Sequence, residues 1–391
     1  MTAPRFEWTA TALWLILLAL GALLVTSASL EIASVRYGGA NAFSLRHGIY
    51  VGVSLLAFLA VLSLPVAHWQ RLGPLAYLAS VVMLLAVLLV GREVNGSLRW
   101  IGVGPLTLQP SELAKFLLLI YLAHSLTRHQ AAVRSSLWGM VRPIAWLLGP
   151  MALILAEPDL GSVVVILAAA GGLVTLAGAR LRDLAFVLLL AGLGGTAAVM
   201  LQPYRLARFQ TFLDPWQDEF GTGYQLTQAL IAFGRGEWWG VGLGEGMQKL
   251  FYLPEAHTDF IYAVLAEELG ALGALVVLVM LVVLVQRGLL HGRRAELRGD
   301  FFAAFLAYGA GLLLAFQVLV SLGVNTGVLP TKGLTLPFLS YGGNSLVVSS
   351  ALVGLIARVA WENQGSPLPA KASRPARGPA RKPVSPVEVP A

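Results

Sequence analysis

Long apolar segments dominate this sequence, and they constrain its fold more than any other feature. A helix needs roughly 20 mainly apolar residues to span the hydrocarbon core of a bilayer, and the sequence contains ten such segments. They lie at 11–30, 47–64, 75–91, 111–126, 143–156, 160–178, 184–201, 260–286, 300–323 and 346–361. The sequence therefore predicts an all-α polytopic membrane protein with ten transmembrane helices.

Composition agrees with this prediction and excludes several kinds of chemistry. Charged residues make up 12% of the chain, against about 25% in ordinary soluble domains. The chain has no cysteine, so disulfides, thiolate catalysis and zinc–thiolate or iron–sulfur sites are excluded. Only Arg5 precedes the first segment and many similar segments follow it, so we interpret that segment as a retained helix rather than a cleaved signal peptide.

The distribution of Lys and Arg predicts the orientation. Short cytoplasmic loops are enriched in these residues, and 17 of the 27 lie on the N-terminal side if the segments alternate. We therefore expect both termini in the cytoplasm, with residues 1–10 as a short N-terminal segment and 11–361 as the membrane domain. Residues 362–391 are expected to form a disordered basic tail. Loop bias and contact with anionic membrane lipid explain the net charge of +7, and no nucleic-acid partner is predicted.

Three segments on the extracytoplasmic side are too long to be simple connections. They are 92–112, the large segment 202–259 between the seventh and eighth helices, and 324–345. Loops longer than about 15 residues are usually functional or disordered, and the Trp, Phe, Leu and Gly content here argues against disorder. We expect these segments to fold back onto the bundle, with a short helix at 224–233.

Ionisable groups cluster where the large segment enters the eighth helix, in LPEAHTDFIYAVLAEELG at 253–270. A charged side chain costs about 2.5 to 3.5 kcal/mol at the bilayer centre and less near the interface, so the cluster needs a reason. Asp259 lies where the helix dipole favours an ionised carboxylate. It is either a helix cap, in competition with Thr258, or a base that accepts a proton from a sugar hydroxyl.

The other charged residues of the helices also have two interpretations each. Glu267 and Glu268 lie on other faces of the helix than Asp259, so we interpret them as structural. Glu112 and Lys115 share a face at the start of the fourth helix, and Asp159 opens the sixth. These three form either a buried salt-bridge cluster, with Asp159 as the partner of Lys115, or a phosphate-binding site.

Cations of the long segments are candidates for binding a diphosphate, because their N–H groups suit phosphate oxygens. The candidates are Arg99, Arg205, Arg208, Arg235, Lys249 and Lys332, and each could instead be solvated or contact lipid headgroups. His257 could be a base or a structural hydrogen-bonding residue. No spacing of His and carboxylates predicts a dedicated metal site, although Mg²⁺ or another divalent cation shared between phosphates and Asp259 would not need one.

Dense motifs run over nearly all ten segments. They are NGSLRW with QPSELAK, EPDLG, FLDPW with GYQLTQALIAFGRGE, QKLFYLPEAHTDFIYAVLAEELG, and GVLPTKGLTLPFLSYGGNS. With these motifs the chain resembles the SEDS family of shape, elongation, division and sporulation proteins. GRGE at 234–237, where the elongation branch tends to read GSGG, favours the division branch.

The resemblance implies a peptidoglycan glycosyltransferase of the bacterial cytoplasmic (inner) membrane. It would polymerise lipid II during septal cell-wall synthesis in cell division and release undecaprenyl diphosphate. Asp259 matches the essential aspartate of the family, and Glu112, Lys115 and Asp159 match its intramembrane polar cluster. The implied partners are a class B penicillin-binding protein, which is a monofunctional transpeptidase, and other membrane proteins of the division machinery.

Three alternatives remain open at this point. The first is an elongation-branch polymerase, and the second is a noncatalytic division scaffold. The third is a transporter that flips lipid II, which would place charged groups near the middle of the membrane and use broken helices.

Overall fold

The computed structural model describes residues 7–37, 42–94, 97–103, 106–200, 212, 214–221, 223–331 and 333–365. Most of these residues are helical. The helices are α1 (Trp8–Tyr37), α2 (Ala42–Ser63), α3 (Val66–Arg71), α4 (Gly73–Val90), α5 (Pro110–Arg128), α6 (Gln130–Ser135), α7 (Leu137–Ala145), α8 (Leu148–Ala156), α9 (Leu160–Leu176), α10 (Leu181–Met200), α11 (Tyr224–Gly236), α12 (Ile261–Leu297), α13 (Phe301–Asn325) and α14 (Gly343–Gly365).

Within the described part of the chain, seven helical segments are long and apolar enough to cross a membrane. They are Trp8–Ile32, Phe43–Ser63, Gly73–Val90, Leu137–Ala156, Ile261–Leu297, Phe301–Asn325 and Gly343–Gln364. The other three predicted segments are the helices α5, α9 and α10. The multi-pass helical architecture is confirmed, and the count of ten crossings stays a prediction.

Helix ends follow local sequence signals. Proline in the first turn begins α4 and α5, where its missing N–H costs no hydrogen bond. Asp159 caps α9 by accepting from the Ser162 N–H at 3.1 Å, and Asp300 caps α13 by accepting from the Ala303 N–H at 3.0 Å. Short polar side chains thus satisfy backbone donors that a helix start leaves unpaired.

The helices α13 and α14 form the centre of the bundle. In their most apolar windows 72% and 83% of the residues are buried, against 22% in α2. Helix α13 packs on α12, α9, α14 and α5, and α2 packs along α14. The residues that follow α13 and precede α14 are therefore held by the most buried part of the molecule.

Helix α12 is broken at Gly270, where φ is +70° and ψ is −178°. The break leaves backbone groups without helical partners, and the segment after α11 satisfies them. The Ala271 N–H donates to the Glu237 carbonyl at 2.8 Å, and the Val241 N–H donates to the Glu267 carbonyl at 3.0 Å. Non-helical backbone within a membrane protein is tolerated where protein buries and pairs it. The eighth predicted span is thus a short buried helix followed by a long one.

A small sheet interrupts the otherwise helical fold. Strands β1 (Arg92–Val94), β2 (Ser97–Val103) and β3 (Leu106–Leu108) form an antiparallel meander between α4 and α5. Ile101 pairs with Leu108 in the β2–β3 hairpin. The sequence predicted that this segment folds back onto the bundle, and it does so as strands, which its composition did not predict.

The large segment before α12 contains the predicted short helix, which extends from Tyr224 to Gly236. At the opposite end of the bundle, α14 continues to Gly365, beyond the predicted end of the membrane domain at residue 361. The extension is held because Asn363 donates to the His291 carbonyl at 2.9 Å and accepts from Arg298 at 3.2 Å. Residues 1–6 and 366–391, including most of the predicted tail, lie outside the described residues.

Candidate active site

A cavity of about 640 Å³ opens at one end of the bundle, between strand β2, the starts of α5 and α9, the turn before α12 and the segment before α14. We call this the site end. The charged side chains that line the cavity in the described part of the chain are Arg46, Arg99, Glu112, Asp159, Glu255 and Asp259. Four of them were predicted site residues from three separate motifs, and the fold brings them together.

Asp259 lies in the turn that leads into α12, with its side chain half-buried. Neither Asp259 nor Thr258 caps the helix: Thr258 Oγ1 donates to Glu255 Oε2 at 2.7 Å instead. The cap comes from another helix, because Asn325 Oδ1 accepts from the Ala263 N–H at 3.2 Å. The interpretation of Asp259 as a helix cap is therefore wrong, and its carboxyl group faces the cavity.

Burial and, to a smaller extent, the charge of Glu255 raise the pKa of Asp259 from 3.8 to about 7, against the opposing charge of Arg99. We expected the helix dipole to keep this carboxyl group ionised. That expectation is wrong because removing a carboxylate from water outweighs the stabilisation that a helix start supplies. Near neutral pH the carboxyl group is divided between its charged and neutral forms.

The backbone of the segment before α14 contacts the Asp259 carboxyl group. A Cβ atom placed on Gly333 would lie 3.1 Å from Asp259 Oδ2. That distance is tighter than ordinary van der Waals contact, so a side chain here would push against the carboxyl group. This glycine, in the motif GVLPTKGLTLPFLSYGGNS, leaves room for Asp259.

Lys115 is 2% exposed and lies in a polar chain that links three helices. Its Nζ contacts Glu112 Oε1 at 2.7 Å and donates to Gln317 Oε1 at 3.4 Å. Gln317 Nε2 in turn donates to Ser345 Oγ at 2.7 Å. Glu112 and Ser345 line the cavity, so Lys115 is linked to the cavity directly through Glu112 and indirectly through Gln317 and Ser345.

Asp159 is not the partner of Lys115, contrary to the prediction. Its carboxylate accepts from Ser111 Oγ at 2.8 Å and from Ser162 Oγ at 2.7 Å, besides capping α9. The two acids therefore have separate roles: Glu112 neutralises Lys115 within α5, and Asp159 joins α9 to the start of α5.

Arg99 is bound to the turn between α8 and α9. Its Nε donates to the Glu157 carbonyl at 2.8 Å, and its Nη2 donates to the Pro158 carbonyl. The side chain of Glu157 is fully buried. Burial and the neighbouring charge of Asp159 raise the pKa of Glu157 to about 8, against the opposing charge of Arg99. Arg99 is thus the cation that acts electrostatically on both Glu157 and Asp259.

The cavity residues that the sequence analysis missed include Arg46, Tyr50 and Asn344. Tyr50 Oη accepts from the Thr107 N–H and donates to the Thr107 carbonyl, both at 3.1 Å. Asn344 Nδ2 donates to the same carbonyl at 2.8 Å. Together they hold the β2–β3 hairpin against α2 and α14. An arginine at the start of an apolar segment was the only sequence signal for Arg46.

Lys249 does not line the cavity, so the structure does not support it as a diphosphate ligand. Its buried Nζ contacts Glu268 Oε1 at 2.5 Å, and it donates to Ser27 Oγ and to the Gly244 carbonyl, both at 2.7 Å. This group of contacts joins α1, the large segment and the end of the short helix before Gly270.

Glu267, next to Glu268 in the chain, is also buried and bound by protein groups. Its carboxylate accepts from the N–H groups of Met247 and Gln248 at 3.0 and 3.1 Å. Arg235 lies 3.6 Å from Glu267 Oε1. These contacts fit the structural interpretation of both glutamates, and they direct Arg235 toward Glu267 rather than toward the cavity.

Of the remaining predicted residues, the structure describes His257. The His257 ring packs edge-on against Phe43, with ring centres 5.1 Å apart, and its carbonyl accepts from the Tyr341 N–H at 2.8 Å. These contacts favour its structural interpretation. Arg205, Arg208 and Lys332 lie outside the described residues.

No group of three or more His, Cys, Asp or Glu side chains in the described ranges is arranged to hold a metal ion. Two of the cavity carboxylates are instead committed to protein partners: Glu112 to Lys115 and Asp159 to two serines. The residues that the structure describes therefore offer no preformed cage for Mg²⁺.

Comparison with known proteins gives this site a family. The model of the cell cycle protein family FtsW/RodA/SpoVE matches residues 7–365. The chain belongs to the FtsW/RodA/SpoVE family. This confirms the SEDS resemblance inferred from the motifs.

Similar members of the FtsW/RodA/SpoVE family include two proteins that are both named probable peptidoglycan glycosyltransferase FtsW. The one from Pseudomonas fluorescens (strain SBW25) is 50% identical over 352 residues, which cover 90% of this chain and 86% of that protein. The one from Halomonas elongata is 49% identical over 368 residues, which cover 93% of each.

Solved structures of the FtsW/RodA/SpoVE family support the same conclusion. A chain from a study of how a peptidoglycan synthase complex coordinates polymerization and crosslinking is 31% identical, with a TM-score of 0.76 over 93% of this chain and 99% of that one. The rod shape determining protein RodA from Thermus thermophilus is 28% identical, with a TM-score of 0.67 and the same coverage.

Proposed function

We propose that this chain is a peptidoglycan glycosyltransferase that polymerises lipid II into glycan strands during septal cell-wall synthesis. The observation that carries the proposal is the half-buried Asp259 carboxyl group, with a pKa of about 7, in the wall of a cavity at the end of an apolar bundle. The names of relatives that are about half identical support the same activity and the division branch.

In the proposed reaction, Asp259 accepts the proton of the 4-hydroxyl group of the acceptor's N-acetylglucosamine. The hydroxyl oxygen attacks the anomeric carbon of the donor's N-acetylmuramic acid, and the bond from that carbon to the diphosphate breaks with inversion. Undecaprenyl diphosphate leaves with the bonding electron pair. A base is most effective when its pKa lies near the working pH, and burial raises the pKa of Asp259 into that range.

Arg46 and Arg99 are the cations that line the described cavity. We assign them the role of stabilising the negative charge of the leaving diphosphate. A guanidinium has five N–H donors, so Arg99 can keep its two carbonyl partners and still bind a phosphate oxygen. Fixed donors of this kind stabilise a transition state because they are already oriented when charge develops. The lipid tails of donor and acceptor would stay in the bilayer beside the bundle.

A transporter that flips lipid II is the second candidate, because α12 is broken at Gly270 and carries buried charges there. Transporters use such half-helices to bind substrate. Here Glu267 instead accepts hydrogen bonds from backbone N–H groups, and Glu268 binds Lys249. Neither glutamate lines the described cavity. The polar cavity lies at the bundle end, which favours catalysis.

We further propose the location and the partners of the enzyme. Both termini lie in the cytoplasm, residues 362–391 form a basic tail from the last turn of α14 onward, and the site end faces outward from the cytoplasmic membrane at the division septum. The partners are a class B penicillin-binding protein and other division proteins. A relative whose solved structure comes from a peptidoglycan synthase complex supports this assembly.

Purified protein, alone and with its class B penicillin-binding protein, tests the proposal with labelled lipid II and separation of the glycan products on a gel. Asp259→Asn should lower the polymerisation rate by a factor of about 10² to 10⁴, which is the usual contribution of general base catalysis. Ser321→Ala, which removes a buried hydroxyl outside the cavity, should polymerise normally. Absence of polymer from the unmodified protein in both settings would refute the enzymatic proposal.

A further inference from the structure

Asn325, the last residue of α13, is fully buried and contacts the chain on both sides of the α12 start. Its Oδ1 accepts from the Ala263 N–H at 3.2 Å. Its Nδ2 donates to the Asp259 carbonyl and to the Ser321 carbonyl, both at 2.8 Å. One amide group thus fixes both the first turn of α12 and the backbone of Asp259.

The partners determine the orientation of the amide. Two carbonyl oxygens can only accept, so the NH₂ group must face them, and one backbone N–H can only donate, so the oxygen must face it. A rotated amide would place its oxygen against the Asp259 and Ser321 carbonyl oxygens and its NH₂ group against the Ala263 N–H, which would keep only its bond to the Phe260 carbonyl at 3.0 Å. Asn325 therefore has one satisfied arrangement.

The same helix also reaches the other side of the cavity. Gln317, two turns before Asn325 on α13, bonds Lys115 and Ser345. Helix α13 thus holds the backbone of Asp259 through Asn325 at its C-terminal end. Two turns earlier, its Gln317 binds Lys115 of the Glu112–Lys115 pair. The geometry between these two sides depends on the contact of Asn325 with Asp259.

We propose that Asn325 is a positioning residue that holds the backbone of Asp259 so that its carboxyl group points into the cavity. This inference rests on the proposed function of Asp259 as the base. Since a misplacement of about 1 Å can cost about 10²-fold in rate, loss of the Asp259 contact should lower kcat by about that factor while KM for lipid II changes little.

Two substitutions separate this role from helix capping. Asn325→Ala removes all three hydrogen bonds. Asn325→Asp keeps an acceptor for the Ala263 N–H, and a negative charge suits a helix start, but it places a carboxylate against two carbonyl oxygens and cannot donate when ionised. If Asn325 only capped α12, Asn325→Asp would be active. We expect both variants to have a lower kcat than the unmodified protein. The rates should be measured above pH 8, where the rate no longer depends on pH.

A second measurement reports on position without activity. The chain contains no cysteine, so Asp259→Cys introduces a single thiol whose reaction rate with a water-soluble maleimide reports its exposure. Combining Asp259→Cys with Asn325→Ala should speed labelling severalfold, because the side chain is no longer held in place. Asp259→Cys with Ser321→Ala, which keeps the Ser321 carbonyl, should label at the original rate.

The outcomes distinguish the inference from the proposed function. Polymer from the unmodified protein with normal kcat in both Asn325 variants would overturn the inference and leave the function standing. Unchanged labelling in the double variant would also overturn it. Faster labelling without any polymer from the unmodified protein would support the positioning of residue 259 and refute the assigned reaction. A loss of rate that matches only a loss of folded protein, measured by thermal unfolding and size-exclusion yield, would reduce Asn325 to a structural role.

Discussion

Asp259 shows how environment changes the chemistry of a single residue. Its place before a helix suggested a permanently ionised carboxylate, yet burial raises its pKa to about 7. A permanently charged group would be a poor proton acceptor, because a low pKa means weak basicity. The half-buried position supplies the basicity that the proposed reaction needs.

The activity should therefore depend on pH in a defined direction. The basic form of Asp259 dominates above its pKa, so kcat/KM should fall about tenfold per pH unit below about 7 and level off above it. Polymerisation rates at limiting lipid II between pH 5 and 9 test this. A flat profile across that range would contradict the assigned base.

Glu255→Gln should shift the fall of kcat/KM at acidic pH to lower pH values. Glu255 raises the pKa of Asp259 by its charge, and a nearby like charge disfavours ionisation. The substitution keeps an oxygen that can accept from Thr258. Glu245→Gln, an exposed position in the same segment that does not line the cavity, is the matched control and should leave the profile in place.

At the level of elements, α12 is broken at Gly270, and Asp259 lies just before its short first part. The short helix before Gly270 is buried from Ile261 to Glu268, and the large segment pairs its end through backbone hydrogen bonds. Hydropathy could not reveal the break, because glycine is common in membrane helices and the segment is apolar on both sides of Glu267 and Glu268. The approximate positions of the helices, in contrast, followed from hydropathy, although α12 extends to Leu297, beyond the predicted residue 286.

Gly270→Ala should lower stability and polymerisation together. Its φ of +70° disfavours any side chain, and a Cβ atom would lie 2.4 Å from the Gly240 backbone nitrogen and 2.5 Å from the Trp238 carbonyl oxygen. Strained backbone of this kind costs about 1–3 kcal/mol, before the clash. Thermal unfolding in detergent and the lipid II assay measure both effects.

Gly234→Ala serves as the control for this prediction. Gly234 lies inside α11, and a Cβ atom there would meet no atom within 4 Å. Alanine stabilises an open helical position by about 0.5–1 kcal/mol relative to glycine, so Gly234→Ala should unfold at the same or a higher temperature. Equal stability of the two variants would contradict the importance of the break.

At the scale of the whole molecule, an ion pair far from the site joins the residue before α1 to the later part of α12. Glu7, which is 5% exposed, accepts from Arg287 Nε at 2.7 Å and from Arg287 Nη2 at 2.9 Å, and His291 Nε2 lies 3.0 Å from it. Burial raises the pKa of Glu7, but hydrogen bonds from His291 and Arg287 and their charges outweigh it and lower the pKa to about 2.

Glu7→Gln should destabilise the bundle without changing the site. Removing one partner of a buried ion pair costs about 3–5 kcal/mol, so the unfolding temperature should fall. Because the folded pKa lies below the usual 4.5, the stabilisation is present above that value and is lost as pH falls toward 2. Glu31→Gln, at an exposed position on α1, should unfold like the unmodified protein.

The sequence by itself determined the class of fold and the residues of interest. Bilayer thickness imposes a length and a composition on each helix, and charges are rare enough in such helices that Asp259, Glu112 and Asp159 stand out. Only the tertiary structure decided the partners: Glu112 for Lys115, and Glu268 for Lys249. Such pairings depend on distances of a few ångströms between helices that are far apart in the chain, and local periodicity carries no information about those distances.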